Sequence, residues 1–186
     1  MVGVEDYAIE VGPRTAPLVD ELRKDFLGRE ERILFAEKRM GWARRLQQIY
    51  RGKGSVLQGD GSELPLPNNS VKTVFAKDLF GAIGRFVQEP EVIDFGKVET
   101  VKGDFAKEWF RVCKPGGRVV ILERSTPADM GKIDQDFSTA GFKKVEQYKG
   151  KDMGKIFEEE EKFGGALTVT AHEDSYALVY EKPKRR

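Results

Sequence analysis

The stretch from Phe105 to Glu123 passes through three patterns in quick succession. Phe105, Trp109 and Val112 recur at i, i+4 and i+7, which predicts a short helix with one apolar face. Pro115 and the Gly116-Gly117 pair forbid its continuation and predict a tight reversal. Val119, Val120, Ile121 and Leu122 then form an unbroken β-branched and aliphatic run, the mark of a strand buried on both faces.

The same alternation of strand and helix runs along the whole chain. Tyr7 to Val11 reads as a first strand, and Pro17 to Phe26 as a helix with Leu18, Leu22 and Phe26 on one side. Arg32 to Ala36 is a second strand, followed by a helix carrying Trp42, Leu46 and Ile49. Val56 to Gln58 and Val71 to Ala76 are the third and fourth strands, and the Lys-Pro-Gly-Gly turn introduces the fifth. Asp134 to Ala140 reads as the end of a helix stopped by Gly141, with Phe142 to Tyr148 and Tyr176 to Glu181 as final strands. Such a β-α order implies an α/β fold whose parallel sheet carries helices on both faces. No repeat or linker divides it, so residues 1–186 are expected to form one domain.

Two segments exceed that minimal scheme and are expected as insertions, at about 81–103 and 150–174. The first mixes Phe86, Val92, Ile93 and Phe95 with acids. The second holds Glu158 to Glu161, read as a solvated helix face. It also holds the alternating run Ala166 to Thr170, read as an extra strand pairing with the last one through a turn at His172 to Ser175.

Composition narrows the function classes. With 34% charged residues and a net charge of +1, a broad electrostatic claim on nucleic acid is excluded, although a local basic patch is not. Cys113 is the only cysteine, so there is neither an intrachain disulfide nor a cysteine cluster for zinc, and beside an apolar helix face it reads as a small buried hydrophobe. No apolar run reaches membrane-spanning length and no signal-peptide pattern opens the chain, so the expectation is a cytoplasmic protein without membrane contact. Lys182, Lys184, Arg185 and Arg186 read as a solubilising, disordered basic tail.

In an open α/β sheet, ligands bind beyond the carboxyl ends of the strands. Glu10 and Gly12 follow the first strand, where a glycine lets backbone amides approach a ligand near a helix N-terminus. Glu37 ends the second strand, where a carboxylate can accept from both hydroxyls of a ribose. Asp60 and Gly61 end the third, where the carboxylate could accept from the amino group of an adenine. Lys77 and Asp78 end the fourth. Each has an ordinary alternative: Glu37 as a solvated side chain, Asp60-Gly61 as a turn, Asp78 as the N-cap of a helix from Leu79. Their joint placement after four consecutive strands favours a binding site.

Two motifs in this frame carry a resemblance. Gly59 to Ala76, GDGSELPLPNNSVKTVFA, is similar to the "GDAxxLPFPDxSFDxV" stretch of class I S-adenosylmethionine-dependent methyltransferases of the type 11-like kind. RVCKPGGRVVILE, Arg111 to Glu123, is similar to their "RVLKPGGxLxxxE". The resemblance implies a Rossmann-like, doubly wound, mostly parallel seven-stranded sheet with an antiparallel last strand. It also implies S-adenosylmethionine as cofactor, with Glu37 at the ribose, Asp60 at the adenine end, and Glu10 and Gly12 bordering the methionine portion. The glycine loop departs from the family's E/D-x-G-x-G-x-G, because Arg14 and Ala16 stand where the second and third glycines would be. Arg14 could obstruct the cofactor or pair with its carboxylate. The chain also reaches its first strand almost at once, without the helices that often cover the substrate in this family.

The implied reaction is methyl transfer to an unidentified acceptor, with Asp78 as first candidate for a base, Lys77 beside it and Glu123 after the fifth strand. Lys77-Asp78-Leu79-Phe80 does not match the Asn/Asp-Pro-Pro-Tyr/Phe signature of many amino-group methyltransferases. Composition favours a small-molecule acceptor over nucleic acid. The altered loop leaves open an inactive binding module with a protein partner or second copy on the apolar residues of the 81–103 segment. A nucleotide-dependent dehydrogenase fits less well, since Gly12 to Pro17 does not match G-x-G-x-x-G. His172, the only histidine, reads as a surface turn residue.

Overall fold

The computed structural model describes residues 7–13, 32–51, 55–80, 95–123, 130–150, 152 and 175–184. Arg14, the expected helix Pro17–Phe26, most of the two insertions, His172 and the final two arginines lie outside the described residues. The described strands are β1 Tyr7–Val11, β2 Arg32–Glu37, β3 Ser55–Gln58, β4 Val71–Lys77, β5 Cys113–Glu123, β6 Lys143–Lys149 and β7 Tyr176–Glu181. The helices are α1 Met40–Ile49, α2 Phe95–Val112 and α3 Met130–Ala140.

The strands make one seven-stranded sheet in the order β3-β2-β1-β4-β5-β7-β6. The pairs from β3 across to β5 are parallel, and β7 runs antiparallel to both of its neighbours, β5 and β6. The Rossmann-like arrangement with an antiparallel last strand is the one the motifs implied.

Side chains alternate across this sheet and bury both faces. Ile9, Val74, Val119, Ile121, Leu178 and Tyr180 join Phe105, Trp109 and Phe137 in one core. Ala8, Phe35, Phe75, Val120, Leu122 and Val179 join Leu46 and Tyr50 of the α1 region in the other. At the far edge, β6 carries Lys143, Lys144 and Lys149, all exposed, and charge of that kind discourages further strand pairing.

The sequence pattern needs three corrections. The helix before β5 is 18 residues long, so residues 95–103 belong to it and not to an insertion.

Second, the Lys-Pro-Gly-Gly reversal stands within the span of β5 and not before it, with Gly116 at φ +80 after Pro115. Val71 pairs with Cys113 and Thr73 with Arg118, so Lys114–Gly117 loop out opposite Lys72. A Cβ on Gly117 would sit 2.6 Å from the Lys72 carbonyl oxygen and 2.8 Å from Cys113 Sγ, which excludes any other residue without movement.

Lys182, third, is no part of a solvated tail. It is 8% exposed and its ammonium donates to Asn69 Oδ1 at 2.8 Å, Phe110 O at 2.5 Å and Cys113 O at 2.9 Å. The charge lies 4.3 Å from the centre of the Phe110 ring and satisfies carbonyls at the C-terminal end of α2.

Cys113 is buried, as expected, and burial pushes its thiol up to about 12 despite the neighbouring Lys182. Such a thiol stays protonated and inert.

Candidate active site

Glu10, Gly12, Glu37, Asp60, Gly61, Lys77 and Asp78 all stand at the carboxyl ends of the four adjoining strands β3, β2, β1 and β4. At the end of β1, Glu10 is fully buried, in register with Phe35 and Phe75. Gly12 has φ +68 and donates its N–H to Ala36 O at 2.8 Å, which ties the first loop to the end of β2. A Cβ there would come within 2.9 Å of Leu79 Cδ1. The backbone conformation favours glycine, and a side chain there would also have to displace the tip of Leu79.

Glu37 is 4% exposed, and its Oε1 accepts the Arg39 N–H at 2.9 Å. The reading of Glu37 as a solvated side chain is thereby overturned. Asp60 sits on the neighbouring loop in a turn of its own. Its Oδ1 accepts from Ser62 N at 3.1 Å and Ser62 Oγ at 2.9 Å, and its Oδ2 meets Lys38 Nζ at 2.6 Å. Burial works to raise the Asp60 pKa, but Lys38 and the two Ser62 donors outweigh it and hold the carboxyl below its usual range. Lys38 thus bridges the end of β2 to the loop after β3.

The loop from Gly59 to Ser70 is fixed by side chains of α2. Trp109 Nε1 donates to Gly61 O at 2.9 Å, and Phe105 and Val11 fill the space beside the Gly61 Cα. Glu108 Oε1 accepts the Leu64 N–H at 2.7 Å. Arg111 grips Glu108 through both carboxylate oxygens, at 2.8 and 2.6 Å, and donates onward to Leu64 O, Leu66 O and Asn68 Oδ1. Burial raises the Glu108 pKa, yet Arg111 and the Leu64 N–H bring it below its ordinary value. None of these three α2 residues was among the sequence-level site candidates. Their signal lay in the motifs themselves, since the arginine of RVCKPGG and the carbonyls of LPLPN are partners.

The end of β4 is held differently. Asp78 adopts φ +51, which Asp tolerates better than most residues, and donates its N–H to Leu122 O at 2.7 Å. That left-handed backbone is not the extended one of an N-cap. The cap belongs to Glu123, 1% exposed, whose Oε1 accepts the Phe80 N–H at 2.7 Å. Glu123 thereby acts on the loop as a structural acceptor. Phe80 enters the aromatic core at 5.8 Å from Trp109 and 6.0 Å from Phe105, centre to centre. Lys77 and Asp78 are both half-buried and open the loop.

No family model matches the chain. It is similar to the ubiquinone/menaquinone biosynthesis C-methyltransferase UbiE of Geotalea daltonii, at 32% identity over 126 residues; the match covers 67% of this chain and 43% of that protein. Among solved structures, an S-adenosylmethionine-dependent methyltransferase from Methanosarcina mazei superposes with a TM-score of 0.65 at 12% identity, covering 99% of this chain and 95% of that one. Another from Aquifex aeolicus gives 0.61 at 14% identity over 97% and 85%. The geranyl diphosphate C-methyltransferase of Streptomyces coelicolor, solved with Mg2+, geranyl diphosphate and S-adenosyl-L-homocysteine, gives 0.61 at 11% identity over 97% and 74%. With the sheet order, the antiparallel β7 and the two motifs in place, the chain has the fold of the class I S-adenosylmethionine-dependent methyltransferases.

Proposed function

We propose that residues 1–186 act as one domain that binds S-adenosylmethionine beyond the carboxyl ends of β1 to β4 and transfers its methyl group to a small-molecule acceptor. The observation that carries this reading is the buried Glu37 carboxylate at the end of β2, joined through Lys38 to Asp60 on the next loop. The donor set fits the cofactor. A carboxylate accepts up to about four hydrogen bonds, enough for a ribose diol in addition to the Arg39 N–H. Asp60 and the Gly61 amide would present an acceptor beside a donor, the pattern that an adenine edge needs. Glu10 and Gly12 would border the methionine portion. Arg14 remains the candidate partner, or obstacle, for its carboxylate.

When bound, the cofactor supplies an electrophilic methyl carbon on its sulfonium. The protein's share is then alignment of the acceptor and, where the nucleophile carries a proton, its removal. Asp78 is the candidate base, set at a fixed angle by its bond to Leu122 O, with Lys77 beside it. A small-molecule acceptor is supported by the relative's name, which gives a quinone-pathway C-methyltransferase, and by the geranyl diphosphate enzyme among the structural neighbours.

Titration calorimetry with S-adenosylhomocysteine tests the reading. Wild type should bind, and Glu37→Ala should weaken binding by about tenfold or more, the value of hydrogen bonds to a charged acceptor. No heat at millimolar ligand would overturn it.

A second reading, an inactive binding module, is favoured by one contact: the Leu79 side chain covers the Cα face of Gly12, where a ligand would approach. In that case wild type gives no heat while Leu79→Ala binds.

A further inference from the structure

We propose that the outward face of α1 is a docking surface for single-stranded RNA. The proposal is independent of the cofactor site and does not make RNA the methyl acceptor. Six of the 32 lysines and arginines, and none of the 31 acids, fall between Lys38 and Lys53, so the rest of the chain is net acidic by five. A near-neutral protein thus carries a concentrated cationic stripe.

At its centre the stripe is exposed and its charge is not neutralised from within, whereas Lys38 at one end pairs with Asp60. Arg44, Arg45 and Arg51 are exposed, and among the described residues none forms an ion pair. Arg44 and Gln48 stand at i and i+4 on one side, with Arg45 adjoining and Arg51 just past the C-cap Tyr50. From Arg44 to Arg51 the rise is about 10 Å, the span of about three nucleotides at the 3.4 Å spacing of a stacked strand. Met40 and Ile49, 47% and 48% exposed, offer apolar surface at the two ends. Arg39 stacks its guanidinium 4.7 Å from the Trp42 ring on the flank.

These features select the partner. The apolar side of α1, Ala43 and Leu46, is buried against the sheet, so only Met40 and Ile49, at opposite ends of the helix, are left to meet a bilayer, too little for interfacial insertion. An acidic protein would need an interface of about 800 Å2 per partner with an apolar centre, which one short arginine-bearing helix does not provide. A duplex groove would need base-reading side chains flanked by phosphate contacts on both walls, and α1 presents a single row of cations. A single strand needs only a narrow row of guanidiniums for phosphates and flanking surface for bases. Gln48, neutral and placed among the arginines, can both donate to and accept from a 2′-hydroxyl, which DNA lacks.

The test is fluorescence anisotropy of the full chain with a labelled single-stranded RNA twelve-mer, the same-sequence DNA, and anionic phosphatidylserine vesicles by flotation. The RNA should bind with Kd of roughly 1–100 µM at moderate salt, and log K should fall against log salt with a slope near −2, about 0.7 for each of three phosphates. Arg44→Gln, Arg45→Gln and Arg51→Gln together should abolish the slope, and each alone should lower it by about 0.7. Removing equal charge elsewhere, with Lys107→Gln, Lys143→Gln and Lys149→Gln, should leave it unchanged. All six sites are exposed, and unchanged melting temperatures would separate loss of binding from loss of fold. Absence of RNA binding at 20 mM salt, an unaltered slope in the arginine variant, equal affinity for DNA, or binding to vesicles in place of RNA would each overturn the proposal.

Discussion

Two loops leave the carboxyl end of the sheet, one after β3 and one after β4, and they are built on opposite principles. Gly59–Ser70, after β3, is held by side chains of α2: Trp109 on Gly61, Glu108 on Leu64, and Arg111 on Leu64, Leu66 and Asn68. Lys77–Phe80, after β4, is held by the end of β5: the Leu122 carbonyl on Asp78 and the Glu123 carboxylate on Phe80. The first needs particular residues at both of its ends, and of its three α2 side chains only Arg111 falls within a motif; the second enters the same motif through its final acid, Glu123. The second arrangement needs a single acid and otherwise uses backbone, so any sequence able to make the strands can make most of it. A clamp written in side chains positions Asp60; a clamp written mostly in backbone positions Asp78.

Trp109 is where the two supports meet, since it contacts Phe80 from one loop and donates to Gly61 of the other. Trp109→Ala should give the largest effect, a loss of about 3–5 kcal/mol from the cavity together with the unpaired Gly61 carbonyl. Urea denaturation followed by circular dichroism would measure it. A loss under about 1 kcal/mol would show that the loops do not depend on a common core.

Glu123→Ala should cost less, about 1.5–3 kcal/mol, because it removes one charge-assisted bond and leaves the Phe80 N–H buried without its acceptor. Glu123→Gln keeps an acceptor and should recover about half of that. If alanine and glutamine variants prove equally stable, the carboxylate is not what fixes the loop.

How far the sequence discloses the fold follows from the same contrast. The seven strands are legible because β-branched and aliphatic runs such as Val119–Leu122 must be buried on both faces, and the antiparallel β7 follows from the resemblance. The length of α2 is not readily legible, because Gly96 and Gly103 break up a stripe that Val98 and Val101 carry back from Phe105. Nor is the role of Lys182, which looks like one of several terminal cations until the carbonyls of Phe110 and Cys113 are seen to converge on it. Placement after each strand puts Glu10, Glu37, Asp60 and Asp78 at the carboxyl ends of β1 to β4, where the structure has them, since topology alone fixes those ends. It says nothing of what holds them, because Glu108 and Arg111 lie more than forty residues along the chain from the loop they clamp.

The smallest effect should be electrostatic and confined to the first loop. The folded Glu108 carboxyl has its pKa depressed below its ordinary value of 4.5: burial opposes this, and the Arg111 guanidinium with the Leu64 N–H more than compensates. A depressed folded pKa means that the unfolded chain takes up the proton first as pH falls. The stabilisation is therefore fully present above about pH 5 and is lost as pH drops through the folded value, below 4.5. Arg111 is about one-third exposed, so water screens the pair, and its ion-pair share should be at most about 1 kcal/mol. Glu108→Gln should flatten the fall in stability between pH 5 and 3 relative to wild type, by a few tenths of a kcal/mol to about 1 kcal/mol in urea titrations at each pH. Glu123→Gln tested alongside should leave the Glu108 contribution intact, because the two carboxylates serve different loops. If the two substitutions are instead non-additive in that pH range, the loops share their electrostatics through Phe80 and Trp109, and the division between a side-chain clamp and a backbone clamp gives way to a single coupled support.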